Sequence, residues 1–380
     1  MKPQEEHLKY DKFCELLGTD RMAPEAEKLY ITADSEGELT KPIRVEIIPR
    51  YFPKIKEDVI AAANEFMKDP LAIRYMNFLR VSCFALKEEQ IPFLAPEAGN
   101  LMRNFGPVFA ALGHTEQMEA EMKRRGIDEI TAERVRNVFE RCLIGTKSTF
   151  GYYGMRENIF FWDRHFLVPD IFPIETLEFE VTTLPNEGTY FRNKKNKEWV
   201  ILIDVSDKKS EYCGYTVKSG GDPDKYITLP KADYEKILAP GEDVISVHIP
   251  KGTKVDTQTC ENTYAKALEF IYKTFPEKRF KAIYCRSWLM SPQLKEILSE
   301  GSNILSFQSF YQRFPVKSSG QEIFEFVHPK PFEKYEDLPE NTTLERGVKR
   351  QYLENRLLYV YAGIHLLEEI SSEIIVRRTR

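Results

Sequence analysis

The sequence predicts an α/β (α+β) protein: a helical N-terminal part, then a mixed β-sheet flanked by helices. Three observations carry this. Up to about residue 150 the apolar side chains recur at helical spacing. From residue 157 short aromatic and β-branched runs replace that period. Residues 243–328 then read strand–helix–strand–helix, an order that needs a right-handed crossover and sets two strands parallel in one sheet. The 380 residues suit about two domains, and we place them at 1–150 and 151–380.

In the first part, EDVIAAANEFMK (57–68) lines up Val59, Ile60, Ala63 and Phe66 on one helical face. Segment 71–87 is too apolar all round for a surface helix. Residues 100–124 and 132–144 predict two further helical stretches separated by Arg125-Gly126, with Thr131 starting the second and Glu133 in its first turn. Beyond the boundary, IFFW (159–162), LEFEVTTL (177–184), EWVILIDV (198–205) and EYCGYTV (211–217) read as extended runs. RNKKNK (192–197) reads as a solvated hairpin tip, KSGGDPDKY (218–226) as a loop, and PKADYEKIL (230–238) as a short helix begun by Pro230.

The strand DVISVHIP (243–250) sets Val244, Ser246 and His248 on one face and Ile245, Val247 and Ile249 on the other. The loop KGTKVDTQT leads into the periodic helix 260–275, whose face carries Tyr264, Ala267, Leu268, Ile271 and Tyr272. RFKAIYCRSWL (279–289) is the second, parallel strand and PQLKEIL (292–298) a short helix. NILSFQSFYQRFPV (303–316) and QEIFEFVHP (321–329) alternate like two strands joined by KSSG, a hairpin signal. The strands around 177–217 are expected to supply the antiparallel half of the same sheet. TTLERGVKRQYL (342–353) is helical, and LLYVYAGIHLL (357–367) fits helix or strand.

Composition narrows the function classes. The chain is 42% hydrophobic, too apolar for extended disorder, and lacks the run of about 18 apolar residues that a membrane helix needs. With 54 Lys and Arg against 59 Asp and Glu, the net charge of -5 gives no basic balance for nucleic acid. The polar N-terminus through Tyr10 has no signal-peptide core, and Arg377, Arg378 and Arg380 end the chain as a frayed basic tail. Six scattered cysteines without CxxC, and six histidines without HxxxH or HExxH, support no metal site and suit reduced thiols in a cytoplasmic protein.

The segments HIPKG (248–252), CRSWLMSPQLKEIL (285–298) and SNILSFQSFYQRF (302–314) resemble a bacterial family of GNAT-like acyltransferases. YYG (152–154), FFW (160–162) and LEFEV (177–181) resemble its linking region, so that the likeness spans about residues 30–370. The resemblance implies an N-acyltransferase in which acyl-CoA or acetyl-CoA lies between two splayed parallel strands, here 243–249 and 281–286. It implies a pyrophosphate loop at 250–259, with Val247, Lys251, Gly252, Thr253 and Lys254 as the CoA-binding set. Here the loop departs from the family pattern: it holds one glycine, lacks the second small residue, and carries Asp256 ahead of Glu261 in the first helical turn. Those carboxylates either repel a diphosphate or stabilise the helix start themselves.

Acyl transfer to an amine needs a base, an oriented carbonyl and an acid for the departing thiolate. His248, at the end of the first splayed strand, is a catalytic candidate or a strand-end histidine bonded to backbone. Glu178 and Glu180 share one strand face; Glu180 is a base candidate, with a raised pKa if that face lines a cleft, or part of a solvated face. Ser287 is a proton-donor candidate or the start of a turn, Arg286 a holder of an anionic substrate group, and Trp288 a substrate contact or core filler. Trp162, in the aromatic FFWDRHF, is a further substrate contact. Cys285 is a weaker nucleophile candidate, being a strand cysteine with no paired histidine. The expected acceptor is a small amine, and a homodimer is allowed. The rival class is a GNAT-like binding or scaffold protein without CoA-dependent catalysis.

Overall fold

The computed structural model describes residues 8–20 and 23–370; the polar stretch before residue 8 and the basic end Arg377–Arg380 lie outside them. Two compact units divide after Phe172, where the sequence expectation lies near residue 150.

The first unit is built from helices: α1 (Tyr10–Leu17), α2 (Pro24–Ser35), α3 (Ile48–Tyr51), α4 (Lys56–Phe66), α5 (Pro70–Ser82), α6 (Leu101–Leu112), α7 (Thr115–Arg124), α8 (Glu129–Phe150) and α9 (Glu157–Leu167). Side-chain caps set several starts. Asp69 accepts from Leu71 N at α5, and Asn100 from Arg103 N at α6. α8 begins earlier than the sequence suggests: Asp128, not Thr131, is its cap, accepting 2.9 Å bonds from both the N–H and the hydroxyl of Thr131. The stretch 100–124 is two helices, broken at Gly113-His114. IFFW is helical in α9, not extended, because Phe160, Phe161, Phe166 and Leu167 bury one face at helical spacing.

The second unit holds two sheets. The first, ordered β1 (Ile171–Ile174), β2 (Leu177–Thr183), β8 (Asp243–His248), β9 (Ala282–Ser287), β11 (Tyr361–Leu366), β10 (Gln312–Pro315), is mixed, with β8 and β9 parallel. The second is antiparallel, ordered β6 (Pro223–Pro230), β5 (Glu211–Val217), β4 (Trp199–Asp207), β3 (Thr189–Asn193), β7 (Tyr234–Leu238). Thus only β2 of the 177–217 strands joins the mixed sheet; the others form a sheet of their own. Of RNKKNK, Arg192 and Asn193 end β3, and residues 194–197 are the exposed β3–β4 turn. PKADYEKIL is not a helix: Pro230 closes a turn onto Asp233 N, and Tyr234–Leu238 pairs with β3. Much of KSGGDPDKY is strand, beginning at Pro223 after Gly220 and Gly221, whose φ of +89° and +85° turn the chain.

The crossover helix α10 (Thr257–Thr274) buries Tyr264, Ala267 and Ile271, while Tyr272 is exposed. Then come α11 (Asn303–Gln308), α12 (Phe324–Val327) and α13 (Thr343–Leu353). The hairpin expected over 303–329 does not form: Ser302 caps α11 by accepting from Ile304 N, 321–329 folds into α12, and β10 pairs with β11 instead. β11 is buried along its whole length, which is why its sequence has no helix-or-strand alternation.

Registers fix two faces of the mixed sheet. Val244, Ala282, Tyr284, Ala362, Ile364 and Leu366 point one way and form a core with Tyr190, Ile201 and Leu238 of the second sheet. Phe179, Ile283, Cys285 and His365 point the other way, toward α10, where Phe179 packs edge-on to Tyr264.

Candidate functional site

β8 and β9 pair at Val244–Ala282, Ile245–Ile283 and Ser246–Tyr284, and there the parallel ladder stops. Both strands continue, but with other partners. Val247 and His248 pair only with Phe179 and Glu178 of β2, and Cys285 to Ser287 only with Gly363 to Tyr361 of β11. The strands therefore part at their carboxyl ends, leaving backbone edges of β8 and β9 facing a gap. Open α/β sheets bind ligands at this end.

At the edge of that gap, His248 Nε2 lies 2.9 Å from Glu180 Oε2. The antiparallel register sets Glu178 opposite His248 and Glu180 opposite Ser246, so Glu180 is the diagonal neighbour of His248 on the same face, within reach of a long side chain. That face is not solvated: Glu178 is 4% and Ser246 5% exposed, and the Glu180 and His248 side chains are 15% and 25% exposed. Sequence reasoning found both residues but not their pairing, because nothing in either strand states the register.

Further along this face, Tyr284 donates its hydroxyl to Glu187 Oε2 at 2.6 Å, while Arg286 Nε donates to Glu187 Oε1 at 2.7 Å. Burial first, then the Glu187 charge, holds the Tyr284 phenol well above its ordinary range. A second Arg286 nitrogen donates to the Lys317 carbonyl, so the guanidinium is engaged with protein groups. Glu187, outside the sequence candidates, is what ties Arg286 down; its turn position before Gly188 gave no sign of that.

Ser287 lies on the opposite face of β9 from Arg286. Its Oγ accepts from Leu289 N at 3.1 Å, starting the turn Trp288–Met290. Trp288 is partly buried against two apolar clusters, its ring 6.3 Å from that of Phe326. Trp162 is on α9 in the first unit, in ring contact with His165 and Phe166. Burial pushes the Cys285 thiol up to about 12, which keeps it protonated and unreactive.

In the loop after β8, Thr253 N donates to the Pro250 carbonyl and Gly252 has φ +83°. The space around Gly252 is open, so the turn's backbone, not crowding, calls for glycine. Thr253 Oγ1 donates to the Thr176 carbonyl, Val247 is buried, and Lys251 and Lys254 are exposed. Asp256 caps α10, accepting from the N–H and hydroxyl of Thr259 at 3.1 and 2.8 Å; these bonds hold its carboxyl below the ordinary range. Lys254 Nζ lies 3.4 Å from it. Of the two roles open to the loop carboxylates, Asp256 fills the structural one. Among the described residues no group of three or more His, Cys, Asp or Glu side chains is placed to hold a metal ion, and no helix is long and apolar enough to cross a membrane.

Comparison with known proteins agrees with this architecture. The family model described as GNAT-like C-terminal domain matches residues 171–365. A crystal structure of an acyltransferase in complex with decanoyl-CoA and teicoplanin superposes with a TM-score of 0.65 at 18% identity, covering 94% of this chain and 99% of that one. One of an acyltransferase with CoA and 10C-teicoplanin gives 0.64 at 17% identity over the same shares. A third, with decanoyl-CoA, gives 0.59 at 19% identity, covering 90% of this chain and 99% of that one. At these identities the likeness establishes the fold. No curated protein sequence matches the chain significantly.

Proposed function

The chain belongs to the GNAT-like C-terminal domain family, and from that premise we propose that it is an acyl-CoA-dependent N-acyltransferase acting on a small amine. The observation that carries this reading is the parting of β8 from β9 beyond Ser246 and Tyr284, with the His248–Glu180 pair at its edge. The unpaired backbone edges of Val247 and of Cys285 to Ser287 suit an extended, amide-bearing pantetheine arm, which can hydrogen-bond there like a further strand. That solved relatives of the same fold bind decanoyl-CoA or CoA supports an acyl-CoA donor.

In the proposed reaction His248 takes a proton from the acceptor ammonium, and Glu180 stabilises the imidazolium that results. The amine nitrogen forms a bond to the thioester carbonyl carbon, the carbon–sulfur bond breaks, and the nitrogen releases its second proton as the amide forms. The thiolate leaves as the thiol by taking a hydroxyl proton, and the released proton restores that hydroxyl. Ser287 is the proposed donor of that hydroxyl proton: its oxygen is occupied by the Leu289 N–H, which leaves its own hydrogen to give. Arg286, held by Glu187, and Trp288, packed in the core, shape the wall of the opening. Lys251, Gly252, Thr253 and Lys254 are the proposed pyrophosphate contacts.

One observation favours the second reading, a binding or scaffold protein: Asp256 already places a carboxylate at the start of α10, which opposes a diphosphate there. Calorimetric titration with CoA and with decanoyl-CoA separates the two. Saturable binding supports the transferase; no binding of either at millimolar concentration overturns it in favour of the second reading.

A further inference from the structure

β8 and β9 part after Ser246 and Tyr284, yet nothing local makes them part. Neither 246–248 nor 284–287 contains a proline or a glycine, and no residue there has a positive φ. Both stretches run without a bulge against their other neighbours, β2 and β11. Facing edges with free N–H and C=O groups tend to pair. Contacts from outside the ladder must therefore hold the opening.

On β8 that contact is Glu180, 2.9 Å from His248. On β9 it is Glu187. Its Oε2 accepts the Tyr284 hydroxyl at 2.6 Å, and its Oε1 accepts Arg286 Nε at 2.7 Å. Tyr284 is the last residue of β9 paired with β8, and Arg286 is the next on the same face. One carboxylate thus spans the point of parting. Arg286 Nη2 also donates at 2.7 Å to the carbonyl of Lys317, just past β10, and β10 lies on the far side of β9 from β8.

The carboxylate is itself fixed in place. Glu187 N donates to the Pro185 carbonyl at 2.8 Å, and the base of the turn is held by Leu184 N to the Glu242 carbonyl and Gly241 N to the Leu184 carbonyl. Gly188, with φ +145°, brings the turn against β4, where a Cβ would lie 2.8 Å from Ile201 Cγ1. The Glu187 side chain is 18% exposed and Tyr284 is buried, so water competes little for these bonds. We propose that Glu187 is a positioning residue for the opening. Acting through Tyr284 and Arg286, it keeps the carboxyl end of β9 from pairing with β8 and leaves both edges free for the pantetheine arm. The inference rests on the acyl-CoA reading of that opening.

The test compares Glu187→Ala and Glu187→Gln with the parent chain by calorimetric titration with decanoyl-CoA, steady-state turnover and thermal unfolding. Glu187→Ala should weaken decanoyl-CoA at least about tenfold, the scale of a lost charged hydrogen bond, and raise KM. Its kcat should fall by less than about threefold, because a bound pantetheine arm itself keeps the strands apart. Glu187→Gln, which keeps one acceptor oxygen, should recover part of the affinity. Tyr284→Phe should cost less than Glu187→Ala, and adding it to Glu187→Ala should cost nothing more, since Tyr284 acts through Glu187. Unchanged affinity with a loss confined to kcat or to the melting point overturns the proposal, as do additive losses in the double variant. If Glu187→Ala does not fold, Glu187→Gln and Tyr284→Phe carry the test, and parent-like affinity in both overturns it. A parent chain that binds no decanoyl-CoA overturns the acyl-CoA reading and this inference with it; parent binding with unaltered variants overturns this inference alone.

Discussion

His248 and His365 stand on opposite faces of one sheet and meet opposite conditions. His248 sits at a strand end, a quarter exposed, with a carboxylate at 2.9 Å. His365 lies in a fully buried strand beside aromatic rings, with no partner for its Nδ1. A histidine beside a carboxylate is oriented by it; one enclosed in apolar surroundings stays neutral, with one ring nitrogen donating and the other accepting. The sheet thus separates a candidate proton-transfer group from a histidine enclosed in the core, with the period-2 alternation of its strands doing the sorting.

The largest effect that tests this contrast is on turnover. His248→Ala should lower kcat/KM for acyl transfer by about 10²–10⁴-fold, the usual yield of a positioned general base. Glu180→Gln, which keeps the shape but not the charge, should cost less and should alter the pH profile of kcat/KM. Steady-state assays with decanoyl-CoA and a series of small amines measure both. Equal losses in His248→Ala and His365→Gln would remove the distinction between the two faces.

The next effect is on stability against pH. With a folded-state value of about 4 against 6.5 unfolded, His365 binds its proton more readily in the unfolded chain throughout that window. Stability must therefore fall as pH drops from about 6.5 to 4, by on the order of 3 kcal/mol from this group alone. Above 6.5 the contribution is flat. Urea unfolding of the parent and of His365→Gln at pH 7 and pH 4.5 checks it: the parent should lose more stability between the two than the variant does. His328, also held low mainly by burial, remains in both chains and cancels in the comparison.

How much of this was legible in the sequence varies by element. The β8–α10–β9 unit could be read because its period shifts from 2 to 3.6 and back, and because the crossover rule leaves one arrangement. The departure of the 250–259 loop from the family pattern was equally plain, and Asp256 caps the helix, one of the two readings allowed. What failed was local pattern contradicted by distant partners. YEKIL reads as helix until β3 offers it an edge, and NILSFQSF alternates like a strand although Ser302 and the buried Phe307 turn it into a helix. The His248–Glu180 pair depended on a register set by β2 and β8 together, and the burial of His365 on β11, whose uniform burial erases any periodic signal.

The smallest expected effect concerns Asp256, where the two readings of the chain diverge. Asparagine caps a helix about as well as aspartate, so Asp256→Asn should keep the Thr259 bond and leave the melting point nearly unchanged. Its effect on a diphosphate should be favourable. Removing one negative charge about 6 Å from a phosphate should raise CoA affinity about threefold, and more at low salt. Calorimetry at two ionic strengths, with thermal unfolding alongside, measures both quantities. Tighter CoA binding with an unchanged melting point places the pyrophosphate at the start of α10, on the loop that Lys251 and Lys254 flank. Unchanged or weaker binding means that the phosphates lie elsewhere, and that the opening between β8 and β9 must hold its ligand without the help of this helix.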